Sequence, residues 1–299
     1  MMREHRIETP DGRVLAVVEG GDPRGPAVIV HHGTPMSRLL YGPHVADAKA
    51  RGLRLIGYDR PGYGDSTPQS GRAVADAATD VATIADALGI ERFGTWGISG
   101  GGPHALACAA LLPQRVVAAA SLAGVAPYDA RDLDWLAGMG EANVEEFGLT
   151  LQGPEKLEPA VREMRDAMMA GGVAGVEEAL RTLLSSVDAA AYSGATAEYM
   201  FAAFRVGSEE RIDGWLDDDF AFAAPWGFSV EQIGVPVLVW QGAEDRFVPP
   251  AHGEWLAREI PTCDARLSPD DGHITLLERR VGEVHEWLAT ALRNVVTAP

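Results

Sequence analysis

The chain has 299 residues and a formal net charge of −18, from 43 acidic and 25 basic side chains. This argues against nucleic acid and anionic membrane surfaces as partners, since both need basic patches. At 46% apolar and 23% charged residues, the composition is that of an ordinary globular protein and not a disordered one.

The start, "MMREHRIETPDG", lacks the apolar stretch of a signal peptide. No apolar run is long enough to span a membrane. Cys108 and Cys263 show no CxxC spacing, so unpaired buried thiols and a cytoplasmic location are the expectation.

In chain order, "RVLAVVEGG" reads as a strand and "PAVIVHHG" as a buried one. A helix-like "SRLLYGPHVADAKARG" follows, then the strand "LRLIGYD" and the amphipathic helix "AVADAATDVATIADALGI". "RFGTWGI" is the next strand, and after a glycine-rich turn and a small-residue helix comes "VVAAASLAG". Such alternation predicts a mainly parallel sheet covered by helices on both faces, an α/β architecture.

From residue 126 to 228 strand-like runs disappear, and helical stretches rich in Ala, Met and Glu take over. Alternation resumes with "VPVLVWQG", "PPAHGEWLAREI", "CDARLSP" and the terminal helix "VGEVHEWLATALRNVV". The organisation expected is a core of residues 1–125 and 229–299, interrupted by a helical cap over 126–228. Insertions of this kind tend to sit at the carboxyl ends of strands, where ligands also bind.

The turn between "RFGTWGI" and the helix carries Ser99 between Gly97 and Gly101, with Gly100 and Gly102 beside it. Four glycines around one serine suggest close approach to its hydroxyl. A phosphate-binding loop would need Gly-Lys-Ser or Gly-Lys-Thr, which is absent. G-x-S-x-G between a strand and a helix resembles the nucleophile elbow of the α/β-hydrolase superfamily. That resemblance implies an α/β-hydrolase fold with Ser99 as nucleophile.

An activated serine needs a base, and the base an orienting carboxylate. The superfamily's order of nucleophile, acid and base is met by two further loops. "AEDRFVPP" resembles the acid-bearing loop and implies Asp245. "DDGHITLLE" resembles the histidine loop and implies His273. Asp129, after the strand that follows the elbow, is the rival for the acid. Asp270 and Asp271 read as a solvated loop pair.

"HHGTPMS" resembles the superfamily's HGxP loop. By that resemblance the oxyanion donors are the amides of Thr34 and Gly100, Pro35 having no N–H. His31 and His32 read as bracing residues, and "YDRPGYGDS" as a structural turn. The resemblance covers roughly residues 5–125 and 229–297, with five motifs in order.

Haloalkane dehalogenases and epoxide hydrolases place an aspartate at the nucleophile, so Ser99 argues against both. Proline iminopeptidases resemble the chain in size and cap position but carry tryptophan after the serine, where Gly100 stands.

In the cap, Trp135, Phe147, Met164, Met168, Tyr199, Phe204 and Trp215 are candidates to line an apolar pocket, though packing among cap helices is the commoner use of such residues. Asp217-Asp218-Asp219 reads as a solvated helix end, lacking the spacing of a calcium loop. No HExxH or paired Cys/His spacing occurs, so no metal and no cofactor are expected. The resulting expectation is a serine hydrolase of small, fairly apolar carboxylic esters, with a small-molecule substrate as its partner.

Three alternatives share the frame. An iminopeptidase-like aminopeptidase would need cap carboxylates such as Glu209 or Glu210 for a substrate ammonium. A C–C bond hydrolase or lactonase would keep the triad with a different pocket, and a non-enzymatic receptor would bind a small ligand without chemistry. No oligomeric state is specified by the sequence.

Overall fold

The computed structural model describes residues 2–296; residues 1 and 297–299 of the two core segments lie outside the described residues. One eight-stranded sheet runs in the order β1-β2-β4-β3-β5-β6-β7-β8. Its strands are β1 (Arg3–Glu8), β2 (Val14–Gly21), β3 (Ala27–His31), β4 (Arg54–Tyr58), β5 (Phe93–Ile98), β6 (Val116–Leu122), β7 (Val237–Gly242) and β8 (Cys263–Ser268).

From β4 through β3 to β8 every pairing is parallel, while β2 is antiparallel to both β1 and β4. The central strands β3, β5, β6 and β7 are buried along their whole length, as strands covered on both faces must be. The two edges are guarded by charge: Arg3, Glu4, Arg6 and Glu8 on β1, Asp264 and Arg266 on β8.

β1 precedes "RVLAVVEGG", the first run with a strand pattern in the sequence. β1 pairs with β2 through a turn closed by the Thr9 N–H on the Arg13 carbonyl at 2.9 Å, with Gly12 in the left-handed region. Short polar strands at an edge have weak hydrophobic alternation, so their periodicity is hard to see.

The helices of the α/β layer are α1 (Gly42–Ala50), α2 (Asp76–Ala87), α3 (Gly101–Leu111), α9 (Pro250–Glu259), α10 (His273–Arg279) and α11 (Val281–Val296). One face of the sheet packs on α2, α3 and α9 through Val81, Ile84, Leu106 and Leu256; the other packs on α1 and α11 through Ala48, Val284 and Leu288. Helix α1 is shorter than expected. Pro43 fits only the first turn of a helix, so the helix starts at Gly42, and residues 37–40 instead line a cavity beside Ser99.

Between β6 and β7 lie α4 (Glu141–Thr150), α5 (Pro154–Leu180), α6 (Ser186–Ala191), α7 (Gly194–Ser208) and α8 (Asp213–Phe222). Gly172, at φ 61°, breaks the helical path of α5. The apolar core of this insertion, built on Leu157, Val161, Met168, Phe204 and Trp215, also takes in Tyr63 and Ile274 from the α/β layer. The insertion is therefore packed onto the sheet domain through a continuous core. Among the described residues no helix is long and apolar enough to cross a membrane.

Cys108 and Cys263 are both free thiols. Cys108 is buried as expected, whereas Cys263 is only half-buried.

Candidate active site

Ser99 sits between β5 and α3 with φ 54°, in the left-handed region that non-glycine residues rarely adopt. The turn is held on both sides. The Ser99 N–H donates to the Leu122 carbonyl at 2.9 Å, and the Gly102 N–H to the Ser99 carbonyl at 2.9 Å.

The glycines around it serve two purposes. A Cβ on Gly97 would lie 2.1 Å from the Gly101 carbonyl oxygen, and one on Gly101 would lie 2.2 Å from that of His31. Those two let backbone approach backbone. Gly100 is different: a Cβ there would lie 2.4 Å from Thr34 Oγ1 and 2.9 Å from Phe222. It therefore stands where the elbow meets the loop after β3, and no larger residue fits without moving Thr34.

The loops after β7 and β8 bring Asp245 and His273 together. His273 Nδ1 lies 2.8 Å from Asp245 Oδ2. The other Asp245 oxygen accepts the N–H groups of Phe247 at 2.8 Å and Val248 at 2.9 Å, and Gln241 Nε2 donates to Oδ2 at 3.2 Å. Burial pushes the Asp245 carboxyl up, against the pull of His273 and the Val248 amide.

For His273, burial alone would lower the imidazole's pKa, but the charge and hydrogen bond of Asp245, with a smaller part from Asp188, leave it raised. Phe247 stacks on the ring at 4.4 Å between centroids and 15° between planes. With Nδ1 held by the carboxylate, Nε2 is the nitrogen left to exchange a proton, and His273 and Ser99 line one cavity.

Asp129 is exposed and belongs to a separate groove with Trp226, Trp255 and Arg258. The structure does not bring it to Ser99.

A model described as the alpha/beta hydrolase fold matches residues 26–280. The chain belongs to the α/β-hydrolase fold family. The α/β-hydrolase chain is 30% identical over 165 residues to epoxide hydrolase B of Mycobacterium tuberculosis, covering 52% of this chain and 46% of that one. It thus spans about half the length of that relative. With the non-heme chloroperoxidase of Streptomyces lividans it shares 26% identity over 268 residues, 89% of this chain and 91% of the relative. Among solved structures, a thermophilic esterase from Thermogutta terrifontis superposes with TM-score 0.71 at 22% identity, over 97% of this chain and 99% of that one.

Two cavity lobes of this hydrolase-fold chain meet at Ser99. The first is lined by His273, Leu40, Trp96, Tyr199 and Phe204, the second by Gly100, Phe147, Met164, Trp215 and Phe222; Thr34, Met168 and Phe247 border both. Of the seven insertion residues named from sequence, all but Trp135 line one lobe or the other. Several, such as Phe204 and Trp215, also pack the insertion's core. Trp135 instead packs against Phe147 and donates Nε1–H to the Ala126 carbonyl at 2.7 Å.

The second lobe pairs Asp219, read from sequence as part of a solvated helix end, with Glu146, which the sequence did not single out. Glu146 and Asp219 both line it, and Trp215 Nε1 donates to Glu146 Oε1 at 2.5 Å. Burial raises both carboxyls. Beside Glu146, whose charge adds to the effect of burial, Asp219 is pushed well above its ordinary range. Asp219 Oδ2 is buried without a hydrogen-bond partner. Glu209 and Glu210 are exposed and line neither lobe.

The reading of Asp217-Asp218-Asp219 as a solvated helix end is corrected by α8. Asp218 is fully buried and paired with Arg60 at 2.5 Å and Arg72 at 2.6 Å. Tyr63 Oη also donates to it, at 2.8 Å. Asp271 is likewise buried, and accepts from Arg280 Nε at 2.6 Å, while Asp270 is exposed. Three acids in a row look solvated until a partner element supplies buried arginines, which a local pattern cannot reveal.

His31 and His32 are bracing residues in the structure. Thr95 gives its hydroxyl proton to the Ile29 carbonyl, so His31 Nε2–H donates to Thr95 Oγ1 at 3.1 Å, and Tyr58 Oη donates to His31 Nδ1 at 3.2 Å. Burial, with help from Arg60, lowers the His31 pKa to about 3, keeping it neutral. His32 Nδ1 donates to the Gly33 carbonyl at 2.9 Å, and its Nε2 accepts the Arg60 N–H at 3.3 Å. The turn Tyr58–Ser66 is structural too: Asp59 is buried against Arg38, and the Ser66 hydroxyl donates to the Asp59 carbonyl at 2.8 Å. Among the described residues no cluster of three or more His, Cys, Asp or Glu side chains is arranged to hold a metal ion.

Proposed function

We propose that this chain is a cofactor-independent serine hydrolase that cleaves small, fairly apolar carboxylic esters. The observation that carries this reading is the 2.8 Å contact between His273 and Asp245 at the cavity where Ser99 lies beside Gly100 and Thr34. His273 Nε2 takes the proton of Ser99 Oγ as that oxygen attacks the ester carbonyl carbon. Asp245 stabilises the imidazolium, and the amides of Thr34 and Gly100 receive the carbonyl oxygen as it becomes an oxyanion.

Collapse breaks the C–O bond, and His273 returns the proton to the departing alcohol. Water, deprotonated by the same imidazole, then attacks the acyl-enzyme and frees the carboxylic acid and Ser99. The two lobes suit the two halves of an ester. His273 must reach the leaving oxygen, so the alcohol departs through the lobe His273 lines and the acyl group occupies the lobe beside Gly100. Apart from Glu146 and Asp219 in the second lobe, the mainly apolar lining supports a substrate without large polar groups.

The similarity to an epoxide hydrolase covers about half the chain. Ser99 in the elbow supports an acyl-serine route over the aspartyl ester that epoxide opening uses.

A second reading is favoured by Glu146 and Asp219, which line the acyl lobe and would carry negative charge there when ionised. That charge would hold an ammonium group on the acyl half of an aminoacyl ester or arylamide. A panel of neutral acyl esters and prolyl-arylamides separates the readings. Turnover of neutral esters alone supports the first, and preference for the amine-bearing acyl group supports the second. Binding without turnover of any member would favour a receptor.

A further inference from the structure

Helix α10 begins at His273, and the first N–H groups of any helix have no intrahelical acceptor. The residue before it, Gly272, has no side chain with which to cap them. Thr275 supplies one half of a capping arrangement, accepting the Gly272 N–H on Oγ1 at 2.6 Å.

The other half comes from the insertion. Asp188, in the first turn of α6, accepts the His273 N–H on Oδ2 at 2.8 Å. Its Oδ1 accepts the N–H groups of Ile274 at 2.9 Å and Thr275 at 3.1 Å. The Ser185 hydroxyl donates to the same carboxylate at 3.2 Å. Asp188 is fully buried, and burying a carboxylate is costly unless donors surround it as these do.

Gly272 is what admits it. A Cβ there would lie 2.2 Å from Asp188 Oδ2. The glycine in "DDGHIT" is thus explained by a side chain from the other layer of the molecule.

We propose that Asp188 is a positioning residue, through which the inserted helices fix the backbone turn that carries His273. Its action is both mechanical and electrostatic. Asp245 and Asp188 are the two charged groups facing His273, one from the loop after β7 and one from α6, and both favour the imidazolium against burial. The insertion is therefore part of the machinery that sets the base, besides forming the walls of the cavity. The catalytic part of this inference rests on the proposed role of His273; the coupling between Asp188 and the imidazole does not.

The test is the titration of His273, followed by NMR on histidine-labelled full-length protein, which needs no turnover. Asp188→Asn keeps the volume and one acceptor but removes the charge. The His273 midpoint should fall on the order of half a pH unit. Gly272→Ala, whose methyl group displaces the carboxylate, should move the midpoint the same way. On a neutral ester, Asp188→Asn should lower kcat about tenfold or more through loss of alignment, with KM nearly unchanged. A purely structural cap would leave the midpoint in place. A folded Asp188→Asn protein whose His273 midpoint equals that of the parent overturns the proposal. A shifted midpoint without hydrolysis of any ester would support the coupling and count against the esterase reading.

Discussion

Asp218 and Thr34 are joined across the two layers of the molecule: the Thr34 hydroxyl donates to Asp218 Oδ2 at 2.5 Å. Arg60 extends the same node, donating to the His32 carbonyl at 2.5 Å and to Thr34 Oγ1 at 3.2 Å. His104 donates from Nδ1 to the Gly100 carbonyl at 2.7 Å, and its other ring nitrogen lies 3.9 Å from Asp218. One carboxylate from α8 thus stands behind both residues assigned to the oxyanion.

Removing that carboxylate should be expensive. Asp218→Asn leaves Arg60 and Arg72 buried without their counter-charge, and breaking a buried pair from one side costs about 3–5 kcal/mol. Urea denaturation should show that loss. Burial opposes ionisation of Asp218, but Arg60 and Arg72 outweigh it and hold its pKa well below the ordinary carboxylate value. Its contribution is therefore present above the unfolded carboxylate's pKa and is lost only as pH falls through the lower folded value.

Asp245 and Asp129 make a second, paired prediction. Asp245→Asn should preserve the fold and lower kcat by roughly 10⁴, because the imidazole loses its orienting charge. Asp129, exposed and outside the Ser99 cavity, should tolerate the same change with little effect. Steady-state kinetics on one ester ranks the two, and the opposite ranking would move the acid to the loop after β6.

Gly100 tests the oxyanion assignment. Gly100→Ala places a methyl group against Thr34 Oγ1 and Phe222. Displacing one donor of an oxyanion pair costs on the order of 10²-fold in kcat, so the variant should lose turnover with little change in KM. A variant as active as the parent would mean that this junction does not hold the oxyanion.

The pH dependence follows from His273. Its pKa is raised, with Asp245 overcoming burial, yet it must be neutral to accept the serine proton. Log kcat/KM should therefore fall with slope one as pH drops through that raised value, and be flat above it. Adding EDTA should leave the profile unchanged, because no step of the proposed reaction uses a metal-bound water. His273→Ala should remove the limb with nearly all activity.

The parts of this molecule written in short contiguous runs were legible in its sequence. β3, β5, β6 and β7 are apolar runs bounded by turn residues, and the Thr34 loop, Ser99 turn and Asp245 follow β3, β5 and β7; His273 follows the half-exposed edge strand β8. What escaped depends on contacts across the chain. Asp188 meets His273 from 85 residues away, and Asp218 meets Arg60 from 158. Neither acid has a local pattern distinguishing it from a solvated one. Gly272 lies within the run "DDGHIT", but its reason, the Asp188 carboxylate, lies in the other layer.

Covalent trapping tests whether Ser99 is a nucleophile activated by His273. The intact protein treated with a fluorophosphonate should gain the mass of one phosphonyl group, and peptide mapping should place it on Ser99. Ser99→Ala should not be labelled and should lose turnover by up to about 10⁶-fold. Labelling elsewhere, or an alanine variant that hydrolyses esters at the parent rate, would mean that Ser99 is not the nucleophile.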